Sequence, residues 1–447
     1  MKRIFYFFSL LLALFACSDN DSFTTSRTAL LTFGTDTMKM DTVFSNVGSS
    51  TYTFWVFNHS GDGIRLNTVR LRGGNQTGFR VNVDGTYLDN NLGSVVTGLE
   101  VREGDSLRVF VELTAAETRK ENPQEVSDEL VFTLESGVEQ RVVLRAYAWD
   151  AVKMTDLVVS ADTLIESSRP VVIYGSGIRV DSGAVLTLRN TTLYFHDGAG
   201  MNVSGSLKTD HVIMRGDRLD HMFDYLPYDR VSGQWRGICF TRTSSANELV
   251  DSEVRNAYSA IILEDSAQLD TITPRLQMIR CVVHNAKGDG IVAFNSHLHL
   301  SHCQLTNTLG DCLAVYGGLC TIDHCTLAQF YPYSANRGAA LRFADHWADV
   351  CYEANRLVCN GSIVTGYADD VVMFAKRDSV RMFEYAFDDC LLRTPAVEDT
   401  VNFRHVSWET QKDSVQGKQH FKLIDEKNLV YDFHLDSLST AQGKGCY

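Results

Sequence analysis

Proline is scarce in this chain, 6 in 447 residues, and no stretch of it has the composition of a proline-rich spacer. Cysteine is missing from most of the first half. Apart from Cys17, the cysteines all lie between positions 239 and 446, so no disulfide framework staples the region before them. Beyond the first sixteen residues no run reaches the roughly 18 to 20 apolar residues that a membrane-spanning helix needs. Positive charge is also in deficit. With 41 Lys and Arg against 55 Asp and Glu, the net charge of −14 excludes an electrostatic grip on nucleic acid, and it leaves a polyanionic glycan in need of a bridging cation. What is abundant is packing material: 44% hydrophobic residues, 24 Phe and 17 Tyr describe folded domains, and the length allows two or three of them.

The chain opens Met1, Lys2, Arg3, continues with an apolar run from Ile4 to Ala16, and reaches Cys17. This charged start and short apolar middle is the pattern of a secretory signal. Leu14, Phe15, Ala16 and Cys17 resemble a bacterial lipobox, which implies cleavage before Cys17 and lipidation of its thiol. Residues 1–16 are therefore expected to be a signal peptide and 17–29 a tether. The acidic stretch Ser18 to Ser22 is similar to the surface-export signal of Bacteroidota lipoproteins, which implies an outer-membrane or cell-surface location with the membrane as a partner through Cys17.

From 30 to 150 the chain shows short alternating apolar runs such as "STYTFWVFNHSGDG", "FRVNVDG", "DSLRVFVELT" and "QRVVLRAYAW", broken by turn residues. Strands at this spacing predict a β-sandwich. The whole resembles the Ig-like modules of bacterial surface proteins. It has no cysteine and no cluster of His with carboxylates, so chemistry is not expected there.

Residues 151–447 keep a longer rhythm. "RCVVHN" at 280, "HCQLTN" at 302 and "HCTLAQ" at 324 repeat every 22 residues, with weaker copies at 251, 361 and 389 and a degenerate one, "NTTLYF", at 190. A repeat of this length with strand-like alternation is a solenoid of β-coils, a parallel β-helix. The period predicts that Cys281, Cys303 and Cys325 stack along the axis, one strand spacing apart, as small core fillers. Asn256, Asn285 and Asn307 should stack as well, each bonding the backbone of the next coil. "GQWRGICF" at 233–240, the preceding "GDRLDHMFDYLPYDRVS" and the coils after them resemble a group of Bacteroidota surface lipoproteins of the right-handed parallel β-helix repeat type with an N-terminal Ig-like module. The resemblance implies an all-β, pectin-lyase-like architecture and is silent on activity.

The run from His297 to Cys325 holds four histidines and four cysteines, which raises a metal or thiol site. Zinc needs three or four converging ligands. His302 over His324 offers only two, and alternation sends His297 and His299 to solvent. Asp289 and Asp311, one repeat apart, echo the paired carboxylates of polygalacturonases, where one acts as general acid and others hold the attacking water. Gly310 stands where that motif has a second aspartate, and the Gly-His-Gly and Arg-Ile-Lys that complete it are missing, so Asp289 and Asp311 are acid candidates of a hydrolase or lyase only. Asp369 and Asp370 are candidates for Ca²⁺; no other cofactor is implied. Tyr331, Tyr333, Trp347 and Tyr352 lie in insertions and could stack on sugar faces. Cys351 and Cys359 are the better disulfide candidates, and Cys446 is expected to be exposed and unpaired. The resulting expectation is a lipid-anchored surface protein that binds glycan without cleaving it, a carbohydrate-active enzyme on the same scaffold being the alternative.

Overall fold

Alternation along the early strands buries every second side chain: Phe79, Val81 and Val83 are fully buried while Arg80 between them is exposed. The computed structural model describes residues 22–377, 381–409 and 416–447, so Cys17 and the proposed signal peptide lie outside the described residues. The chain divides into two compact units, one through Asp150 and one from Ala151.

In the first unit two five-stranded sheets share one core, with Phe79, Phe132, Leu66 and Val109 at its centre. One sheet holds Leu31–Phe33, Tyr52–Asn58, Ser106–Leu113, Phe79–Val83 and Thr86–Tyr87. The other holds Thr37–Phe44, Glu139–Trp149, Gln124–Leu134, Ile64–Leu71 and Val95–Val101. Neighbours run antiparallel except Thr37–Phe44, which lies parallel to Glu139–Trp149.

The second unit is a coil of strands. Each coil adds one strand to each of three parallel ladders. The first ladder stacks Glu253–Arg255, Val282–Ala286, Gln304–Thr308, Thr326–Gln329 and Ile363–Gly366. The second aligns Ile261, Ile291, Leu313, Leu341 and Val372, and the third aligns Leu276, Leu298, Cys320 and Leu357. Partners are 22 residues apart from Gln304 to Thr326, but 37 apart from Thr326 to Ile363, because segments 330–340 and 345–354 are inserted between ladder strands.

One turn shows why the repeat reads as it does. Asp251, Arg280, His302, His324, Gly361 and Asp389 all have a left-handed backbone, φ between 46° and 54°. Each directly precedes an inward residue of one buried column: Ser252, Cys281, Cys303, Cys325, Ser362 and Cys390. Polar residues that tolerate this conformation, or glycine, are therefore favoured before the column. At Gly361 a Cβ would also sit 2.7 Å from the His324 ring. The column is knitted by its own hydrogen bonds, the Cys303 N–H donating to Cys325 Sγ at 3.3 Å and the Cys325 N–H to Ser362 Oγ at 2.9 Å. Neighbour Cys303 and burial push the Cys281 thiol well up, and burial pushes up the Cys303 thiol, as suits small core fillers.

Two expectations change. All ten described cysteines are free, and Cys351 does not bridge to Cys359. Cys359 points into the core, 3.8 Å from Cys390 Sγ, whereas Cys351 sits on a surface hairpin opposite His346. Cys446 is half-buried rather than exposed, its thiol pushed up to about 11 chiefly by burial.

Candidate functional site

The outward side of the first ladder is covered by the end of the chain. Phe421–Asp425 and Val430–Leu435 pair as an antiparallel hairpin, closed by Asp425, which accepts the Lys427 and Asn428 N–H groups at 3.1 and 3.0 Å. Phe421 and Phe433 lie on its underside and pack on Phe330, Ile363 and Leu391 of the coils beneath. Beyond the hairpin the C-terminus runs back over the same face, with the Tyr447 hydroxyl donating to Gln304 Oε1 at 3.0 Å.

Between this hairpin, the coils and the 3-10 turn Tyr228–Arg230 lies a groove of about 410 Å³, in the range of small-ligand sites. The solenoid supplies Arg255, His284, Gln304 and Asn307 to it, and the hairpin and terminus supply Tyr431 and Tyr447. Arg230 fastens the mouth, donating from Nη1 to the Asn428 carbonyl at 2.5 Å. Arg255 lies 3.3 Å from Glu253 and 3.8 Å from Asp229.

Asn307 is the anomaly at the floor. It is 1% exposed, it lines the groove, and among the described residues neither Nδ2 nor Oδ1 has a hydrogen-bond partner. The Arg255 Nε and the Tyr431 hydroxyl share that condition. Asparagine was expected to bond the next coil here. Instead Asn256, two rungs back, donates at 2.8 and 2.9 Å to the carbonyls of Asp229 and Val231, in a segment inserted between strands Ser206–Gly216 and Ile238–Phe240, and the buried Asn307 amide is left without a partner among the described residues. A buried amide without partners costs about 1–3 kcal/mol. A ligand with adjacent donor and acceptor groups, as on neighbouring sugar hydroxyls, would supply both missing bonds.

His284 forms one wall, its Nδ1 2.8 Å from Thr306 Oγ1 and its ring near Tyr431 and Phe433. Burial, helped by Arg255, lowers its pKa from 6.5 to about 4. The unfolded chain therefore binds a proton between those values that the folded chain refuses, and stability falls as pH drops from about 6.5 to about 4. Relative to His284→Gln, the native melting temperature is expected to fall more steeply across that window, by the equivalent of about 3 kcal/mol; parallel pH profiles would contradict it.

The sequence-derived candidates disperse. Asp289 accepts the Asp311 N–H at 2.8 Å, and burial pushes its carboxyl up. Asp311 in turn accepts the Ala339 N–H at 2.6 Å and pairs with Arg342 at 2.5 Å. Both carboxylates thus cap successive turns, and neither lines the groove. His302 and His324 are the left-handed turn residues, stacked with ring centroids 5.3 Å apart. Asp369 pairs with Arg393 at 3.2 Å while Asp370 accepts from Thr394 Oγ1 at 2.7 Å, so the two are held by different partners. A metal-sized grouping, Asp210, His211 and Asp251, is occupied by Arg280, which grips Asp251 through two bonds of 2.6 Å.

Tyr331 and Tyr333 brace the groove from behind, bonding Ser232 Oγ and the Arg230 carbonyl at 2.9 and 2.8 Å. Trp347 sits on the inserted hairpin His346–Cys351, its ring 4.6 Å from Tyr316 of the coils, and Tyr352 is buried against the same tyrosine. The groove's tyrosines, Tyr431 and Tyr447, carry no repeat signal, which is why periodicity missed them.

The model of the family described as "Right handed beta helix region" matches residues 159–327. No curated protein matches the chain. Among solved structures it is similar to a protein of unknown function from Porphyromonas gingivalis, at 14% identity and TM-score 0.21, over 29% of this chain and 51% of that one. The chain thus spans about half the length of that protein. It is also similar to the catalytic unit of a thermostable alpha-1,3-glucanase from Streptomyces thermodiastaticus, at 9% identity and TM-score 0.30, over 80% of this chain and 89% of that one. A family 123 glycoside hydrolase from Clostridium perfringens matches at 8% identity and TM-score 0.20, over 29% and 26%. The parallel ladders between Val152 and Trp408 are those of a β-helix, and residues 159–327 of it match the right-handed family.

Proposed function

We propose that this protein binds glycan, without cleaving it, in the groove above Asn307, and that it is displayed on the outer membrane or cell surface by a lipid on Cys17, with the N-terminal sandwich as an Ig-like spacer. The observation that carries the reading is the buried, unpartnered Asn307 amide beside two tyrosines. Groups kept unsatisfied at a cost in stability are a mark of binding sites. Calcium has no part in it, and neither does nucleic acid.

The test is affinity electrophoresis of the full chain against plant and host polysaccharides, with and without EDTA. At least one neutral glycan is expected to retard the protein, equally in both. Retardation by none would end the glycan reading. The competing reading is a glycan-cleaving enzyme, favoured by the raised carboxyl of Asp289. It would replace ours if new reducing ends or unsaturated products appeared and vanished in Asp289→Asn.

A further inference from the structure

The insertion that walls the groove also carries a small hairpin, His221–Phe223 paired with Leu226–Pro227. Its tip is apolar and in the open: Met222, Phe223 and Tyr225 are 40%, 55% and 75% exposed. Single exposed apolar residues are ordinary. Here three fall within four positions, and the Phe223 and Tyr225 rings lie 5.6 Å apart with planes only 10° from parallel. Stacked in this way, the exposed pair offers an outer aromatic ring face to solvent.

The hairpin is held rigidly. Its base is closed by the Tyr228 N–H donating to the Asp220 carbonyl at 2.9 Å, and Arg218 both pairs with Asp220 at 2.5 Å and covers the Tyr228 ring at 3.9 Å. The residues that follow are fixed to the groove by Asn256, which bonds the Asp229 carbonyl. Asp229 and Arg230 already line the groove. Four residues of chain reach at most about 14 Å, so the Tyr225 backbone stands within that distance of Asp229.

We propose that the Phe223–Tyr225 pair is a second subsite, on which a chain of linked sugars leaving the groove lays its next rings. The ligand is therefore an oligosaccharide or the end of a polysaccharide, and a single sugar fills only part of the site. This rests on the reading of the groove as a glycan site. Flat aromatic rings suit the apolar faces of sugars and lose little side-chain freedom on contact.

The experiment is calorimetric titration of the full chain with cello-, xylo-, chito- and malto-oligosaccharides of two to six units. In the series that binds, affinity is expected to rise with length and then level off. Phe223→Ser with Tyr225→Ser is expected to cut affinity for the longest member roughly tenfold while leaving the shortest binder unchanged. Tyr225→Trp is expected to retain the long-chain gain. These positions are exposed, so melting temperature should not move, and a fall in it would be read out separately from binding. Equal affinity at every length, or a double variant indistinguishable from native on the longest member, would overturn the second subsite and leave the groove standing. Binding of no series at all would remove the groove reading and this inference with it.

Discussion

Replacing Glu409 with alanine is expected to lower the stability of the β-helix unit by about 3–5 kcal/mol, one of the largest single-residue effects in the chain. Glu409 follows the last ladder strand and is 3% exposed. One of its oxygens accepts from Thr365 Oγ1 at 2.6 Å and the other lies 2.7 Å from His420 Nε2, while His420 Nδ1 meets Ser439 Oγ at 2.8 Å. This buried relay clasps the C-terminal segment to the final coils. Removing the carboxylate strands the Thr365 hydroxyl and the His420 ring with no water to replace it. A loss of that size corresponds to roughly 10 °C in melting temperature for a unit of this length. Amides of the hairpin strands 421–435 should also lose hydrogen-exchange protection ahead of the coils, since the clasp holds them. Glu409→Gln keeps one acceptor and should lose less. Melting of the alanine variant within a degree or two of native would show that the segment is held by Phe421 and Phe433 alone.

The second large effect runs the other way. Asn307→Gly is expected to melt at or above the native temperature, by about 1 kcal/mol of added stability. The deletion removes two buried groups without partners, a gain of about 1–3 kcal/mol, set against about 0.5–1 kcal/mol of backbone entropy that glycine loses on folding. The native φ of 56° is one that glycine adopts freely, so no strain is introduced. Substitutions of buried residues that stabilise are uncommon. Calorimetry of the two proteins checks it, and a loss above 1 kcal/mol would mean that the amide is already bonded in the free protein.

The coil architecture was legible where the chain repeats without interruption. From Leu276 to Gln329 the register is the one that 22-residue spacing dictates, because ladder pairing fixes coil length when no insertion intervenes. The place of Ser252 and Ser362 in the cysteine column was legible from the motif, because "DSEVRN" and "GSIVTG" match "RCVVHN" position by position, and the left-handed residue before each confirms it. The site was not legible. Its floor is a repeat residue, Asn307, whose reading as mortar between coils is sound at Asn256 only in that it bonds backbone, and there the backbone belongs to an insertion. Its walls come from Asp229, His284 and Tyr431, joined by tertiary packing that no local pattern encodes. The carboxylates Asp289 and Asp311 stood out because Gly-Asp recurs, and the recurrence reflects turn capping.

The account stands or falls on whether sugar meets the Asn307 amide. The direct measurement is a paired titration of native protein and Asn307→Gly with the tightest oligosaccharide that the native protein binds. Affinity is expected to fall at least tenfold, about 1.4 kcal/mol or more, in a variant that melts no lower than native. Equal affinity in the two proteins would place the sugar elsewhere and contradict the account.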